Sequence, residues 1–441
     1  MQQTKETGTG MKISEPKKIL IISPHFPPSN LAAVHRSRLF AQHLPSFGWE
    51  PIILTVDEKY YEEEPDPNLS RLLPEGLVIE KVKALAVTRP RLIGDIGLRG
   101  FLPLYRKAKK LIRQQQIDFL YIPIPSFYTA LLGRWLHATT GIKYGIDYID
   151  PWVHRFPGSD RMFSRHWFSS KLSGLLEPIA VKKAALITGV AEGYYKGVLE
   201  RNPRLEQSCR FGAMPYGGER ADHQKVAELG LRPYLFEKRP DKIQLLYAGA
   251  MLPKAYAPLE AILKAMKARP ELFGSLEIHF VGTGSTPDDP NGYNIRPLAE
   301  KYGWWNTVIF EYPRRIPYLD VLVHLEAADG VFILGSTEPH YTPSKVYQGV
   351  LSGKPILAVL HAESTAVSVI RTANTGIALA FGGEPEIGKI ENEFSSVFQE
   401  FLVFLENFDS RQVNTAAFDR YSARNVTAIL AELLEKCIST N

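Results

Sequence analysis

A chain of 441 residues is too long for one ordinary hydrophobic core and sets the expectation of two domains of roughly 200 residues each. Its 45% hydrophobic and 22% charged residues are ordinary globular values and exclude extensive disorder. A net charge of +5 with no basic motif excludes a nucleic-acid binder while allowing an anionic ligand or an anionic membrane surface.

Residues 1–16 are polar, lack the apolar stretch of a signal peptide and read as a disordered tail. KKILIIS follows, a continuous apolar run of the kind found in strands buried on both faces, ending in the turn PHFPPSN. A helical stretch carries Phe40, Leu44 and Phe47 and stops near Pro45 to Gly48, before a second strand, PIILTV. The rhythm returns at DFLYIPIP, YGIDYID and ALITGV. It lapses over 212–242 into Gly, Pro and charge, and resumes with IQLLYAGA, LEIHFVG, TVIFEY, DGVFIL and KPILAVL. Strands alternating with helices predict an α/β fold of two doubly wound, parallel-sheet domains, 17–215 and 216–408. The remaining segment, 409–441, reads as an amphipathic helix bearing Ile429, Leu433 and Leu434. Cys209 and Cys437 match neither a disulfide framework nor a zinc site, and no run of eighteen apolar residues occurs, so a cytoplasmic protein without a membrane span is expected.

In open α/β sheets ligands bind beyond the carboxyl ends of the strands, so chemistry is expected in the loops that follow strands. In EPHYTPSKVYQGVLSGKPIL, Thr342 suits a helix N-cap and Pro343 the first helical position. Lys345 then falls in the first turn, where the helix dipole disfavours a cation unless an anion is also present, so this end suits a diphosphate or a capped helix with a solvated lysine. Gly282 and Gly284 follow one strand and Gly249 another, with Lys254 within reach of a phosphate or simply solvated. In the first half, YGIDYID places Asp147 and Asp150 about a strand end. At most one can face a substrate; Asp150 is the leading candidate base, and capping or loop bracing suits Asp147. His25, His35 and Arg36 follow the first strand, and Arg36 suits either an anion or a salt bridge on its own helix. Residues 152–171 interleave aromatic and basic side chains, as do membrane-surface segments, mobile lids and loops that pack their aromatics inward. There is no GxxxxGK[ST], no GxGxxG opening a helix, no HExxH, no GxSxG and no Asp-x-Asp.

Taken together, these segments resemble the GT-B glycosyltransferases of family 4 type, in particular the branch that builds bacterial cell-surface polysaccharides. ILIISPHFPPSNLAAVHRSRLFAQHLPSFGWEPIILT resembles that branch's opening, and DYIDPW its Asp-x-Arg-Asp-Pro-Trp element, with Ile149 in place of arginine. Glu177 sits in a matching helix, and YTPSKVYQGVLSGKPIL is similar to the family's donor-site helix. The resemblance implies a nucleotide-sugar donor held by the C-terminal domain near Gly249, Lys254, Gly282, Arg314, Ser344, Lys345 and Gln348. It implies a glycan or lipid-linked acceptor on the N-terminal domain, a final helix crossing back to that domain, and neither cofactor nor metal. The family's acidic pair falls here on His340 and Gln348, and its Gly-Arg-Leu on Gly249, Ala250 and Met251. These departures motivate the alternative of a non-catalytic partner in a polysaccharide assembly complex; a nucleotide-sugar epimerase or hydrolase is a third reading.

Overall fold

The computed structural model describes residues 15–88, 94–153, 165–284 and 289–439. The apolar runs form two all-parallel sheets. The first comprises β1 (Lys17–Ile22), β2 (Trp49–Val56), β3 (Val78–Val82), β4 (Phe119–Ile124), β5 (Lys143–Tyr148), β6 (Leu186–Gly189) and β7 (Arg210–Ala213), in the spatial order β3-β2-β1-β4-β5-β6-β7. The second comprises β8 (Ile243–Ala248), β9 (Leu276–Val281), β10 (Ile309–Tyr312), β11 (Gly330–Leu334), β12 (Ile356–His361) and β13 (Gly376–Phe381), in the order β10-β9-β8-β11-β12-β13. Each sheet therefore reverses direction once, between β1 and β4 and between β8 and β11. Central strands such as β4 and β12 are buried at every position, which is why they read as unbroken apolar runs.

Three strands were not singled out by the sequence, and all three lie at sheet edges: β3, β7 and β13. Their half-exposed positions in VIEKV, RFGA and GIALAF dilute the apolar signal. The helix Arg220–Glu228 likewise lies inside the stretch expected to be a bare connection.

On one face of the first sheet, the helices Phe101–Gln115, Ala130–Thr140 and Arg165–Val181 lie side by side over a core that includes Leu20, Ile122 and Ile146. The other face is covered by the helix Ala32–His43 and by the last helix, Ala423–Ser439. That last helix buries Val426, Leu430, Leu434 and Cys437 against Phe40, Leu44 and Met214, while Ile429 is partly exposed. Lys143 Nζ donates to its Cys437 carbonyl at 2.9 Å, and Lys17 pairs with Glu435. The chain thus ends on its own N-terminal sheet. No helix among the described residues is long and apolar enough to cross a membrane.

The two sheets are also joined across the cleft between them. Arg38, fully buried on the first helix, bonds Asp222 at 3.0 Å, and the Tyr318 hydroxyl donates to the same carboxylate at 2.9 Å. Asp66 accepts from the Tyr318 backbone N–H at 2.6 Å, so a loop of the first half caps the helix Tyr318–Ala327 of the second. Asn30 Nδ2 donates to the Ile316 carbonyl at 3.0 Å.

Candidate functional site

A cavity of about 540 Å³ lies where both sheets reverse, lined by the loops after β1, β4, β5, β8, β9 and β11. This is the placement that doubly wound topology dictates for a ligand.

On the C-terminal side, Lys345 lines the cavity one residue after Ser344 and opens the helix Lys345–Leu351. Its Nζ stands 3.6 Å from the centre of the Tyr247 ring. It makes no ion pair among the described residues, and burial pulls its ammonium pKa down to about 7. Opposite lies Gly249, whose φ of +120° disfavours any side chain; a Cβ there would sit 3.3 Å from the Lys345 amine. Gly282, at φ +71°, lines the same cavity, as does Gln348. The Gln348 Oε1 lies 3.0 Å from His223 Nε2, and His223 Nδ1 lies 2.7 Å from Glu326.

On the N-terminal side, Asp150 follows β5 and lines the open cavity, and the cleft walls around it, by displacing water, push its carboxyl up to about 6. Tyr194, Tyr216 and Tyr341 surround the same space; burial raises their phenol pKa values, and the Asp150 charge adds to it. His25 lines the wall and pairs with Glu63 at 2.9 Å. His35 rests 4.2 Å, centre to centre, from the Tyr318 ring. Burial, with Arg38 and Arg315 nearby, drops its pKa to about 3, so it offers a neutral imidazole to the cavity.

Several expected site residues have other partners. Asp147 is wholly buried and does not line the cavity; it accepts from Arg36 Nη2 at 3.0 Å and from Thr188 Oγ1 at 2.8 Å. Its carboxylate is structural, which removes it as a base. Arg36 is committed to Asp147 and to the Pro215 carbonyl at 2.8 Å, leaving it a wall of the cavity and no free anion holder. Burial opposes its charge, and Asp147 more than offsets this. Lys254 lies off the cavity, paired with Glu338 at 3.4 Å. Arg314 is half-exposed and pairs with Glu64 at 2.5 Å; the cavity is lined instead by its neighbour Arg315, whose Nη1 donates to the Asn30 carbonyl at 3.1 Å. His340 packs edge-on against Tyr194, with ring centres 5.3 Å apart, and Gly284 spends its N–H on the Pro313 carbonyl at 2.9 Å. Thr342 lines the cavity but caps nothing: its Oγ1 meets Thr365 Oγ1 at 2.8 Å, and the helix begins at Lys345 rather than at Pro343. Of the 152–171 segment, residues 154–164 lie outside the described residues.

The sequence reading missed Tyr194, Tyr216, Arg315 and His223. Tyr194 follows β6 and Tyr216 follows β7, a strand too short and exposed to be recognised, so the first was findable by the strand-end rule and the second was not. Among the described residues no group of three or more His, Cys, Asp or Glu is placed to hold a metal.

No family model and no curated protein matches the chain. Solved structures do. A glycosyltransferase from Rickettsia africae aligns with a TM-score of 0.61 at 14% identity, over 97% of this chain and all of that one, 100%. Sucrose-phosphate synthase from Thermosynechococcus elongatus gives 0.64 at 14%, over 96% of this chain and 100% of that one. Anabaena HepE in complex with UDP-glucose gives 0.62 at 13%, over 95% and 99%. At such identities the likeness establishes the fold: two Rossmann-like domains in the GT-B arrangement.

Proposed function

We propose that the chain is a glycosyltransferase that takes a sugar from a nucleotide-diphosphate sugar and passes it to a glycan or lipid-linked acceptor, in the synthesis of cell-surface polysaccharide. The observation that carries this reading is Lys345: a lysine amine held inside a cleft, at the sheet's reversal, with no carboxylate among the described residues to neutralise it and a glycine backbone opposite. Holding a desolvated cation without an anion is costly, and a site that does so is built for a charged ligand. HepE is solved with UDP and with UDP-glucose, which supports a nucleotide-sugar of that class as the donor.

In this reading the donor diphosphate lies between Lys345 and the Gly249 and Gly282 backbones, with Arg315 on the rim. As the bond between sugar and diphosphate breaks, negative charge grows on the leaving phosphate, and fixed positive groups stabilise it without a metal. Asp150 stands on the opposite wall, where an acceptor hydroxyl would approach. If the anomeric configuration inverts, Asp150 takes the proton of that hydroxyl; if it is retained, Asp150 orients the hydroxyl.

The test is thermal stabilisation by UDP, GDP, ADP, dTDP and CMP, for the wild type and Lys345→Ala. A ligand at 100 times its dissociation constant stabilises the folded state by about 2.7 kcal/mol. One nucleotide should shift the wild type and not the variant. No shift with any of them overturns the donor site.

A further inference from the structure

The helix Arg165–Val181 is buried along one face and carries large apolar side chains on the other. Inward it buries Ser173, Glu177, Ala180 and Val181, with Glu177 bonded to Arg201 at 2.8 Å. Outward, in spacings of four, three and four residues, it exposes Phe168 at 55%, Leu172 at 42%, Leu175 at 70% and Ile179 at 48%. At 100° per residue these four fall within one narrow stripe. Single exposed apolar side chains are unremarkable, but an aligned row of four long ones is the signature of a face that something covers.

Charge says what covers it. Lys171, Lys182 and Lys183 flank the stripe, are exposed, and form no ion pair among the described residues. Glu177, turned inward, is the only acidic residue in this helix and in the two that extend the layer on one side, Ala130–Thr140 and then Phe101–Gln115, whereas the helix on its other side, Glu192–Arg201, carries exposed Glu192 and Glu200. The two acid-free neighbours add Leu102 and Trp135, exposed at 55% and 46%, together with exposed Arg106, Lys110 and Arg113. A protein partner of ordinary composition would not require three successive helices cleared of outward carboxylates. An anionic bilayer does, because aliphatic side chains enter the acyl boundary while lysines meet the headgroup phosphates.

We propose that this outer face of the N-terminal domain, centred on Leu172, Leu175 and Ile179, docks on an anionic membrane surface. The helix begins on the side of the sheet where β5 ends and the cavity opens, so docking through it would bring the acceptor side of the cleft to the bilayer. The surface differs from that expected from sequence: its centre lies beyond 152–171, on a helix whose outward face only the tertiary structure defines.

The experiment is flotation of the full chain with phosphatidylcholine vesicles, with and without phosphatidylglycerol. The wild type should float with the anionic vesicles and remain in solution with the neutral ones. The pair Leu172→Asp and Leu175→Asp should abolish flotation, and Lys171→Gln with Lys182→Gln and Lys183→Gln should weaken partitioning on the order of a hundredfold. Val403→Asp, an exposed apolar site on another helix, should float like the wild type. All of these positions are exposed, so melting temperatures should be unchanged, and nucleotide stabilisation reports separately on the donor site. Failure of the wild type to float, or flotation indifferent to the leucine pair, overturns the proposal. So does a dimer in sedimentation that Leu175→Asp dissociates while the wild type ignores vesicles, since the stripe then belongs to a second copy.

Discussion

His223 and Gln348, 125 residues apart in sequence, meet with Nε2 and Oε1 at 3.0 Å. Glu326 holds the other ring nitrogen at 2.7 Å, so the ring cannot turn away. One polar end of the Gln348 amide is thereby occupied, and the other is the group left for a ligand in the cavity. His223 does not line the cavity and acts through Gln348. His223→Ala should raise the donor KM about fivefold, the worth of one hydrogen bond of roughly 1 kcal/mol, with kcat little changed. A double-mutant cycle with Gln348→Ala should return a coupling of about the same size; additive effects would detach His223 from the site.

The two carboxylates of YGIDYID should behave in opposite ways. Asp147→Asn breaks a buried pair with Arg36 and leaves an uncompensated guanidinium, a loss of about 3–5 kcal/mol visible as a lower melting temperature. Asp150→Asn should leave the melting temperature unchanged or raised, because the cleft already disfavours that carboxylate. Should the enzyme invert configuration, the rate should fall by about 10²–10⁴.

The pH dependence follows from the same cavity. A base must be deprotonated, so the Asp150-dependent rate should rise as pH passes about 6. An anion-holding lysine must be protonated, so nucleotide affinity should weaken as pH passes about 7. The profile of kcat/KM should therefore be a narrow bell between those values. A bound diphosphate favours the ammonium form, so the descending limb of kcat should move to higher pH. A flat profile across this range would remove both groups from the reaction.

Gly249→Ala tests the backbone opposite the lysine. A side chain at φ +120° is strained by about 1–3 kcal/mol, and its Cβ would crowd the Lys345 amine at 3.3 Å. Nucleotide affinity should fall by about five- to a hundredfold, the range those energies span at 1.4 kcal/mol per factor of ten, and calorimetric titration would read this directly.

Asp66→Ala removes a cap that one domain supplies to a helix of the other, at a cost of about 1 kcal/mol. The expected result is faster proteolysis near Tyr318 and a larger radius by small-angle scattering, both reversed by a nucleotide that closes the cleft.

What the sequence determined by itself was local and periodic. Unbroken apolar runs placed the central strands of both sheets, because a strand covered on both faces must be apolar at every position. The strand-end loops then located Gly249, Gly282, Lys345 and Asp150, and the family resemblance added Gln348, all of which line the cavity. What the tertiary structure decided was pairing. Whether Arg36 holds a ligand or a carboxylate depends on Asp147, 111 residues away; Lys254 is claimed by Glu338, Arg314 by Glu64, and Lys345 by no carboxylate among the described residues. A charge is functional or structural according to what lies within a few ångströms of it, and that distance is set by packing between segments far apart in the chain. The outward stripe of Arg165–Val181 was hidden for the same reason: an apolar residue on a two-faced helix reads as core until the fold shows which face is left bare.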